Sequence, residues 1–254
     1  MTWDAVRAEL EAELAEPITI DALTGEWRIA QRAKGHRHSA DDVLTAWFAL
    51  QHAPGAASVL DLGSGIGGVG LLVLWGLAAA ATLVAIEAQE VSHRLLVANV
   101  AGNALGTRVE TKLGDLRELA DPRRFPLVTG SPPYFPRDAG IVPADSQKAH
   151  ARFELRGDVH DYALAAARHL TDDGVFVFCF PSPQRARALA AVTAAGLATT
   201  AIRDVIPRET LRPLFTLFAG SRAGELREDP PFVVRHENGE LTAEMRAVRR
   251  GFGF

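Results

Sequence analysis

The chain has 254 residues, 48% of them hydrophobic, and a single cysteine, so it can bury one substantial core but cannot be built on intrachain disulfides, which fits a reducing compartment. Its net charge of −4 and pI near 6.1 argue against a protein that coats nucleic acid through a basic surface. No N-terminal segment resembles a signal peptide and no run of about 18 apolar residues occurs, so a cytoplasmic protein that makes no use of a membrane is expected.

Trp3, Val6, Leu10 and Leu14 recur at helical spacing with acids on the other faces, which predicts a packing helix. Ser58–Leu62 reads as a short buried strand running into Gly63-Ser64-Gly65-Ile66-Gly67-Gly68, with the helix-like stretch Val69–Leu77 behind it. Glycines there let backbone approach a ligand, and a helix N-terminus offers it unpaired N–H groups. The turn fits G-x-G-x-x-G, which suits a nicotinamide site or an S-adenosylmethionine (SAM) site. Asp61 favours the second, because a carboxylate two residues before the first glycine attracts an ammonium and repels a pyrophosphate. Ala81–Glu87 is a second strand, ending in an acid suited to ribose hydroxyls. Arg108–Leu113 is a third, followed by Gly114 and Asp115; Asp115 either accepts from an adenine amino group or caps a helix over Leu116–Ala120.

Phe125–Val128 is a further buried strand, and after it comes Gly130-Ser131-Pro132-Pro133-Tyr134-Phe135, the most informative stretch of the chain. Two successive prolines fix φ and remove two N–H donors, so the turn presents carbonyls, the Ser131 hydroxyl and the flat face of Tyr134. Such a turn can grip an amino group on a planar base; it also occurs as an ordinary strand-ending loop. A helix over Val159–Leu170, a strand over Val175–Phe180 with Cys179 as a core residue, a helix over Gln184–Ala195, and strands over Ala198–Ile206 and Leu214–Gly220 complete the alternation. The pattern predicts an α/β fold with a mostly parallel sheet covered on both faces. Asp61, Glu87, Asp115 and Ser131 all fall at C-terminal strand ends, where open sheets bind ligands. His36 and His38 have no second pair at ligand spacing and read as polar loop residues, so no metal is expected. Arginines and lysine at 28, 32, 34 and 37, at 203, 208 and 212, and at 246, 249 and 250 form basic clusters. They are either solvated charge or, if they converge beside Tyr134, a hold on an RNA backbone.

These motifs carry a resemblance. Asp61-Leu62-Gly63-Ser64-Gly65-Ile66-Gly67 resembles the SAM-binding turn of class I methyltransferases. Ser131-Pro132-Pro133-Tyr134 resembles the (Asn/Asp/Ser)-Pro-Pro-(Tyr/Phe/Trp) signature of their amino-methylating branch. From about Ile18 onward the chain is similar to the bacterial tRNA adenine-N6 methyltransferases that modify the anticodon loop of a valine tRNA. Ile18–Gln31 is similar to that family's opening hairpin, with Gln31 just before its SAM-contacting segment. Gly35–Leu44 resembles the Gly-x-(Arg/Lys)-x-x-x-Asp-x-(Ile/Val)-Leu run that closes over the methionine end of the cofactor. Ala151-Arg152-Phe153 looks like the Ala-Arg-aromatic element after the catalytic loop, and Phe232–Val234 with Asn238–Thr242 looks like the C-terminal strand and tail.

The resemblance implies a Rossmann-like fold of seven central strands, the last antiparallel, with an N-terminal helix and hairpin extension over residues 1–34 and a SAM-dependent methyltransferase domain over 35–254. It implies SAM held by Gln31, Arg37, Ser39, Asp61, Gly63, Ser64, Gly65, Gly67, Glu87 and Asp115, and methyl transfer to adenine N6 in tRNA at Ser131, Pro132, Pro133 and Tyr134. In that reading the Ser131 hydroxyl and the Pro132 carbonyl accept both N–H bonds of the amine, which localises its lone pair, while Tyr134, with Phe135, stacks on the extruded base. The tRNA enzymes carry Asn where this chain has Ser131. Serine is more typical of DNA cytosine-N4 methyltransferases, so a cytosine-N4 or protein-amide target stands as the alternative, and a SAM-binding partner without catalysis as a different class. A nicotinamide oxidoreductase would leave the Ser131–Tyr134 turn unexplained.

Overall fold

The computed structural model describes residues 2–136 and 145–254, apart from the side chains of Ser146, His150 and Arg152. Helix α1 (Trp3–Leu14) leads into a hairpin of β1 (Ile18–Ala22) and β2 (Arg28–Arg32), then α2 (Ala40–His52), β3 (Ser58–Leu62), α3 (Gly68–Gly76), β4 (Thr82–Glu87), α4 (Glu90–Gly102), β5 (Val109–Leu113) and β6 (Phe125–Gly130). After these come α5 (Ser146–Arg152), α6 (Val159–His169), β7 (Leu170–Pro181), α7 (Arg185–Ala194), β8 (Ala198–Ile206), β9 (Phe215–Ser221), the short β10 (Arg227–Glu228) and β11 (Phe232–Val233), and α8 (Ala243–Gly251).

One sheet runs in the order β10-β8-β9-β7-β6-β3-β4-β5, with β11 beside β8. Strand β9 is antiparallel to β7 and β8; the other neighbours are parallel. This is the expected Rossmann-like α/β sheet of seven long strands, with two short strands added at one edge. The stretch read as a helix over Leu116–Ala120 is only a 3-10 turn over Leu116–Glu118, because Pro122 disfavours helical backbone at the residue before it.

Side chains alternate across the strands and divide the interior in two. Val175, Val177 and Cys179 face one core, which α1, the hairpin and α2, α3, α4 and α8 cover. Phe176, Phe178 and Phe180 face the other, under α6 and α7; the rings of Phe176, Phe178 and Phe218 stack at 4.7 and 4.8 Å there.

The N-terminal hairpin is bound into the first core by two asparagines one turn apart on α4. Asn99, fully buried, accepts from Ala30 N at 2.6 Å and donates to Ala30 O at 3.2 Å. Asn103 makes the same pair of bonds with Arg28, at 2.9 and 2.8 Å. The amides thereby act as a ladder for an edge strand that would otherwise bury unpaired backbone. Asn99 Nδ2 also donates to Ile66 O at 2.9 Å, which couples the hairpin to the glycine turn after β3. Replacing Asn99 with Leu strands a buried N–H and two carbonyls, and at ~1–3 kcal/mol per unsatisfied group it should lower stability by about 3 kcal/mol in urea unfolding. A change below ~0.5 kcal/mol would mean that apolar packing alone holds the hairpin.

Candidate active site

A cavity of about 430 Å³ opens at the C-terminal ends of β3, β4 and β6. Its walls come from the turns after β3 and β6, the end of β4, the segment leading into α2, and side chains of α5 and α6.

The turn after β3 is locked to β4. Ser64 N donates to Ile86 O at 2.9 Å, and Gly67 N to Ser64 O at 2.8 Å. Gly65 N donates to Glu87 Oε2 at 2.8 Å, while Glu87 Oε1 accepts from Gln89 N at 2.7 Å. Gly65 has φ of +57°, and a Cβ added to it would meet nothing within 4 Å. Its left-handed backbone, rather than crowding, calls for glycine. Glu87 is held in one orientation at the cavity wall, and burial raises its carboxyl pKa, against the two backbone bonds.

Asp61 stands beneath this turn with 1% of its surface exposed. Thr129 donates to its Oδ1 at 2.7 Å, but its buried Oδ2 has no hydrogen-bond partner. Burial, opposed by the Thr129 bond, pushes its pKa up to about 6. A buried carboxylate with one oxygen unpaired is a high-energy arrangement that a cation would relieve.

The turn after β6 is pinned from three directions. Tyr134 donates through its hydroxyl to Asp41 Oδ2 at 3.1 Å, and that hydroxyl lies 3.4 Å from Cys179 Sγ. Its ring meets Phe180 edge-on at 6.2 Å. Gln184 Nε2 donates to the Tyr134 carbonyl at 2.7 Å, and Ser131 Oγ is 3.4 Å from Cys179 Sγ. Burial, with the neighbouring Cys179 and Asp41, holds the Tyr134 phenol well above its ordinary pKa, so it remains a donor. Tyr134 is therefore anchored inward, and the freer aromatic is Phe135, 43% exposed and backed by Phe153 at 5.6 Å. Ala151 lines the cavity; the side chain of Arg152 lies outside the described residues.

Ser131, Pro132, Pro133 and Tyr134 line the cavity together with Arg37, Ser39, Asp61, Gly63, Ser64, Gly65 and Glu87. Arg37 is tied to the hairpin, pairing with Asp21 at 2.9 Å and donating to Thr19 Oγ1 at 3.0 Å. Ser39 caps α2, its N–H donating to Asp42 at 2.9 Å and its hydroxyl to Asp41. Three expected cofactor residues do not reach the cavity. Gln31 stands behind the wall, donating to Asp21 at 2.9 Å and accepting from His38 N at 2.9 Å. Gly67 is the N-cap of α3, close against Leu71 and Leu96. Asp115 caps the 3-10 turn, accepting from Arg117 N at 2.9 Å, and lines an adjoining depression that shares Ala88, Gly114 and Arg156 with the cavity.

Tyr162, Gln147 and Arg156 line the cavity without having been singled out from the sequence. Gln147 accepts from Arg32 Nη1 and His36 N, both at 3.1 Å, a contact between distant segments for which no local pattern exists. Among the described residues, no group of three or more His, Cys, Asp or Glu side chains could hold a metal ion, and no helix is long and apolar enough to cross a membrane.

The state of Asp61 makes a pH-dependent prediction. Its folded pKa of about 6 lies above the unfolded value of about 3.9, so its ionisation opposes folding: the penalty is absent below the unfolded pKa and complete above the folded one. Asp61→Asn should raise stability by roughly 2–3 kcal/mol at pH 8 and by about half as much at pH 5. Denaturant unfolding at the two pH values measures this, and an equal effect at both would mean that Asp61 keeps an ordinary pKa.

No family model matches the chain. It is 28% identical over 206 residues to the tRNA1(Val) (adenine(37)-N6)-methyltransferase of Bacteroides thetaiotaomicron, covering 80% of this chain and 85% of that one. To the protein of the same name from Klebsiella pneumoniae (strain 342) it is 27% identical over 186 residues, covering 72% and 74%. The Phocaeicola vulgatus protein of that name is 31% identical over 155 residues, covering 61% and 63%. Among solved structures, one described as a predicted O-methyltransferase from Agrobacterium tumefaciens superimposes with a TM-score of 0.64 at 20% identity, covering 83% of this chain and 96% of that one. The M. jannaschii tRNA m1G37 methyltransferase superimposes with a TM-score of 0.57 at 14% identity, covering 83% and 58%. The chain thus has the fold of the class I SAM-dependent methyltransferases and resembles in sequence the bacterial tRNA1(Val) adenine-N6 methyltransferases.

Proposed function

We propose that this protein is a SAM-dependent N-methyltransferase that methylates adenine N6 in tRNA. The observation that carries the reading is the meeting on one cavity of Asp61, a buried carboxyl with one oxygen unpaired, and the Ser131–Tyr134 turn.

The residues present fit the cofactor. Asp61 offers a buried, unpaired acceptor to its ammonium, Glu87 a fixed carboxylate to its ribose hydroxyls, and the turn at Gly65 open space for its backbone-side approach. SAM supplies a methyl group on a sulfonium, already primed for displacement. What remains for the protein is alignment. Ser131 Oγ and the Pro132 carbonyl are acceptors on a turn that Gln184, Asp41 and Phe180 immobilise. Accepting both N–H bonds of an exocyclic amine there would localise its lone pair toward the cofactor. Phe135, exposed at the cavity mouth, supplies the stacking face for an extruded base; such contacts are worth roughly 1–3 kcal/mol each.

Not every basic cluster is available to RNA. Arg32 is buried in pairs with Glu16 and Asp145 at 2.6 and 2.8 Å. Arg203 pairs with Glu244 at 2.8 Å and lies over the rings of Trp47 and Phe232 at 5.3 and 5.1 Å. Arg208 and Arg212 are exposed on the β8–β9 connection. That connection adjoins the catalytic turn, for Leu214 O accepts from Ser182 N at 3.2 Å and Gln184 holds Tyr134. We assign the RNA backbone to this rim.

Methyl transfer from labelled SAM to unmodified total tRNA, with DNA and protein extract in parallel, tests the reading: label should be recovered as N6-methyladenosine. Label found only as N4-methylcytosine or in protein would keep the chemistry and reject the substrate. The double variant Arg208→Glu, Arg212→Glu should weaken tRNA binding at least about tenfold, with a shallower salt dependence, and leave SAM affinity unchanged. Unaltered tRNA affinity would move the RNA to another face.

A further inference from the structure

Tyr162 enters the cavity from α6, and nothing in the glycine motif foretells it. Its side chain is nearly enclosed, 6% exposed, yet it lines the cavity, and its hydroxyl has no hydrogen-bond partner among the described residues. The hydroxyl oxygen is not one of the buried polar atoms left without a partner, so the small exposed part of the residue includes it, and it stands open to a ligand in the cavity.

Two glycines, one just past the end of β3 and one at the end of β6, leave room for this ring. A Cβ on Gly63 would stand 2.0 Å from Tyr162 Oη, and one on Gly130 would stand 2.8 Å from Tyr162 Cδ1. Gly63 opens the turn after β3, and Gly130 ends β6 just before Ser131. The missing side chains thus admit Tyr162 between the two halves of the site, and the phenol reaches the cavity through the slot they leave. The cavity that the phenol reaches is also lined by acceptors, the carboxyls of Glu87 and Asp61. Burial, with the charges of Glu87 and Asp61, keeps the Tyr162 phenol far above its ordinary pKa, so it is a proton donor throughout the physiological range.

We infer that Tyr162 is a cofactor-binding residue whose hydroxyl donates a hydrogen bond to an oxygen of the adenosyl moiety, complementing Glu87, which can only accept. The inference rests on the reading of the cavity as a SAM site. A ribose hydroxyl gripped by a carboxylate alone uses its proton and leaves its lone pairs unmatched; a donor on the opposite wall satisfies them. The ring fills the slot at Gly63 and Gly130, and the hydroxyl is the part left for the ligand.

Calorimetric titration of the full chain with SAM and with 5′-methylthioadenosine, which lacks the amino-acid end, separates the possibilities. Tyr162→Phe keeps the ring in its slot, so the melting temperature should be unchanged. Loss of one neutral hydrogen bond should raise Kd by about 3- to 10-fold, by the same factor for both ligands. Unchanged Kd for both would overturn the inference and leave Tyr162 a packing residue. Weakening confined to SAM would overturn the adenosyl assignment, placing the contact at the methionine end. Failure of the unaltered protein to bind either ligand would reject the SAM site itself, a result distinguishable from the other two because it needs no variant.

Discussion

The strand order reverses between β3 and β6, and the site follows from that constraint. Helices α3 and α4, which return the chain from β3 to β4 and from β4 to β5, cover one face of the sheet, while α6, between β6 and β7, covers the other. The connections therefore diverge at the β3–β6 boundary and leave a crevice at the strand ends that no crossover fills. Residues that end β3 and those that end β6 are neighbours across parallel pairing, Asp61 opposite Thr129 and Leu62 opposite Gly130. The Thr129–Asp61 hydrogen bond is the side-chain expression of that register. Through it the strand bearing the proline turn also orients the carboxylate beneath the glycine turn, so a slip of one residue in this pairing would dismantle both.

Asp61 shows what such a crevice costs the fold. Its burial is unfavourable in isolation, since one oxygen has no partner and its carboxyl group resists ionisation. The group sits in a sheet whose neighbouring side chains Leu60, Leu62, Leu127 and Val128 are all fully buried, and their burial offsets its cost. On the proposed reading, the ammonium of the cofactor would convert this penalty into affinity and shift the acid toward its ionised form. Stability and recognition are opposed at this residue, which is a common property of preorganised sites.

The parts of the fold and site that were legible in the sequence are those whose signal is local. Strand patterns ending in Asp61 and Glu87, the glycine turn between them, and the proline turn after β6 each occupy a few consecutive residues, and the cavity gathers them. What was not legible depends on contacts between distant segments. Tyr134 reads as an exposed stacking face in its own loop, yet its hydroxyl is claimed by Asp41, 93 residues earlier. Arg32 and Arg203 read as solvated charge or a hold on an RNA backbone, yet an acid from elsewhere in the chain pairs with each. Asp115 offers two readings from its position; the cap to Arg117 N is present, and the contact with an adenine amino group stays part of the proposal. Gln31 was placed near the cofactor by resemblance, and it supports the wall from behind by holding His38. Tyr162 had only the periodicity of α6 to mark it, which describes a buried position and says nothing of a hydroxyl.

The serine at the head of the Pro-Pro turn is best understood from what lies behind it. Ser131 Oγ, Cys179 Sγ and Tyr134 Oη form a compact series, each step 3.4 Å, and Asp41 closes its far end. A short side chain at this position has its hydroxyl oriented by the thiol, whereas a longer amide would need that space or would have to reach into the cavity instead. The second acceptor, the Pro132 carbonyl, is set by backbone that two proline rings restrict, and so is independent of the residue at position 131. On the proposed reading, methyl transfer asks the protein chiefly for alignment, and a turn fixed to β7 and α2 can align an amine whichever base or amide carries it. On that reading the choice of target belongs to the surfaces proposed to meet the rest of the substrate: the exposed face of Phe135 and the exposed arginines of the β8–β9 connection. Exchange of Ser131 for Asn would alter how the amine is gripped, but the identity of the molecule presented to the turn is decided outside it.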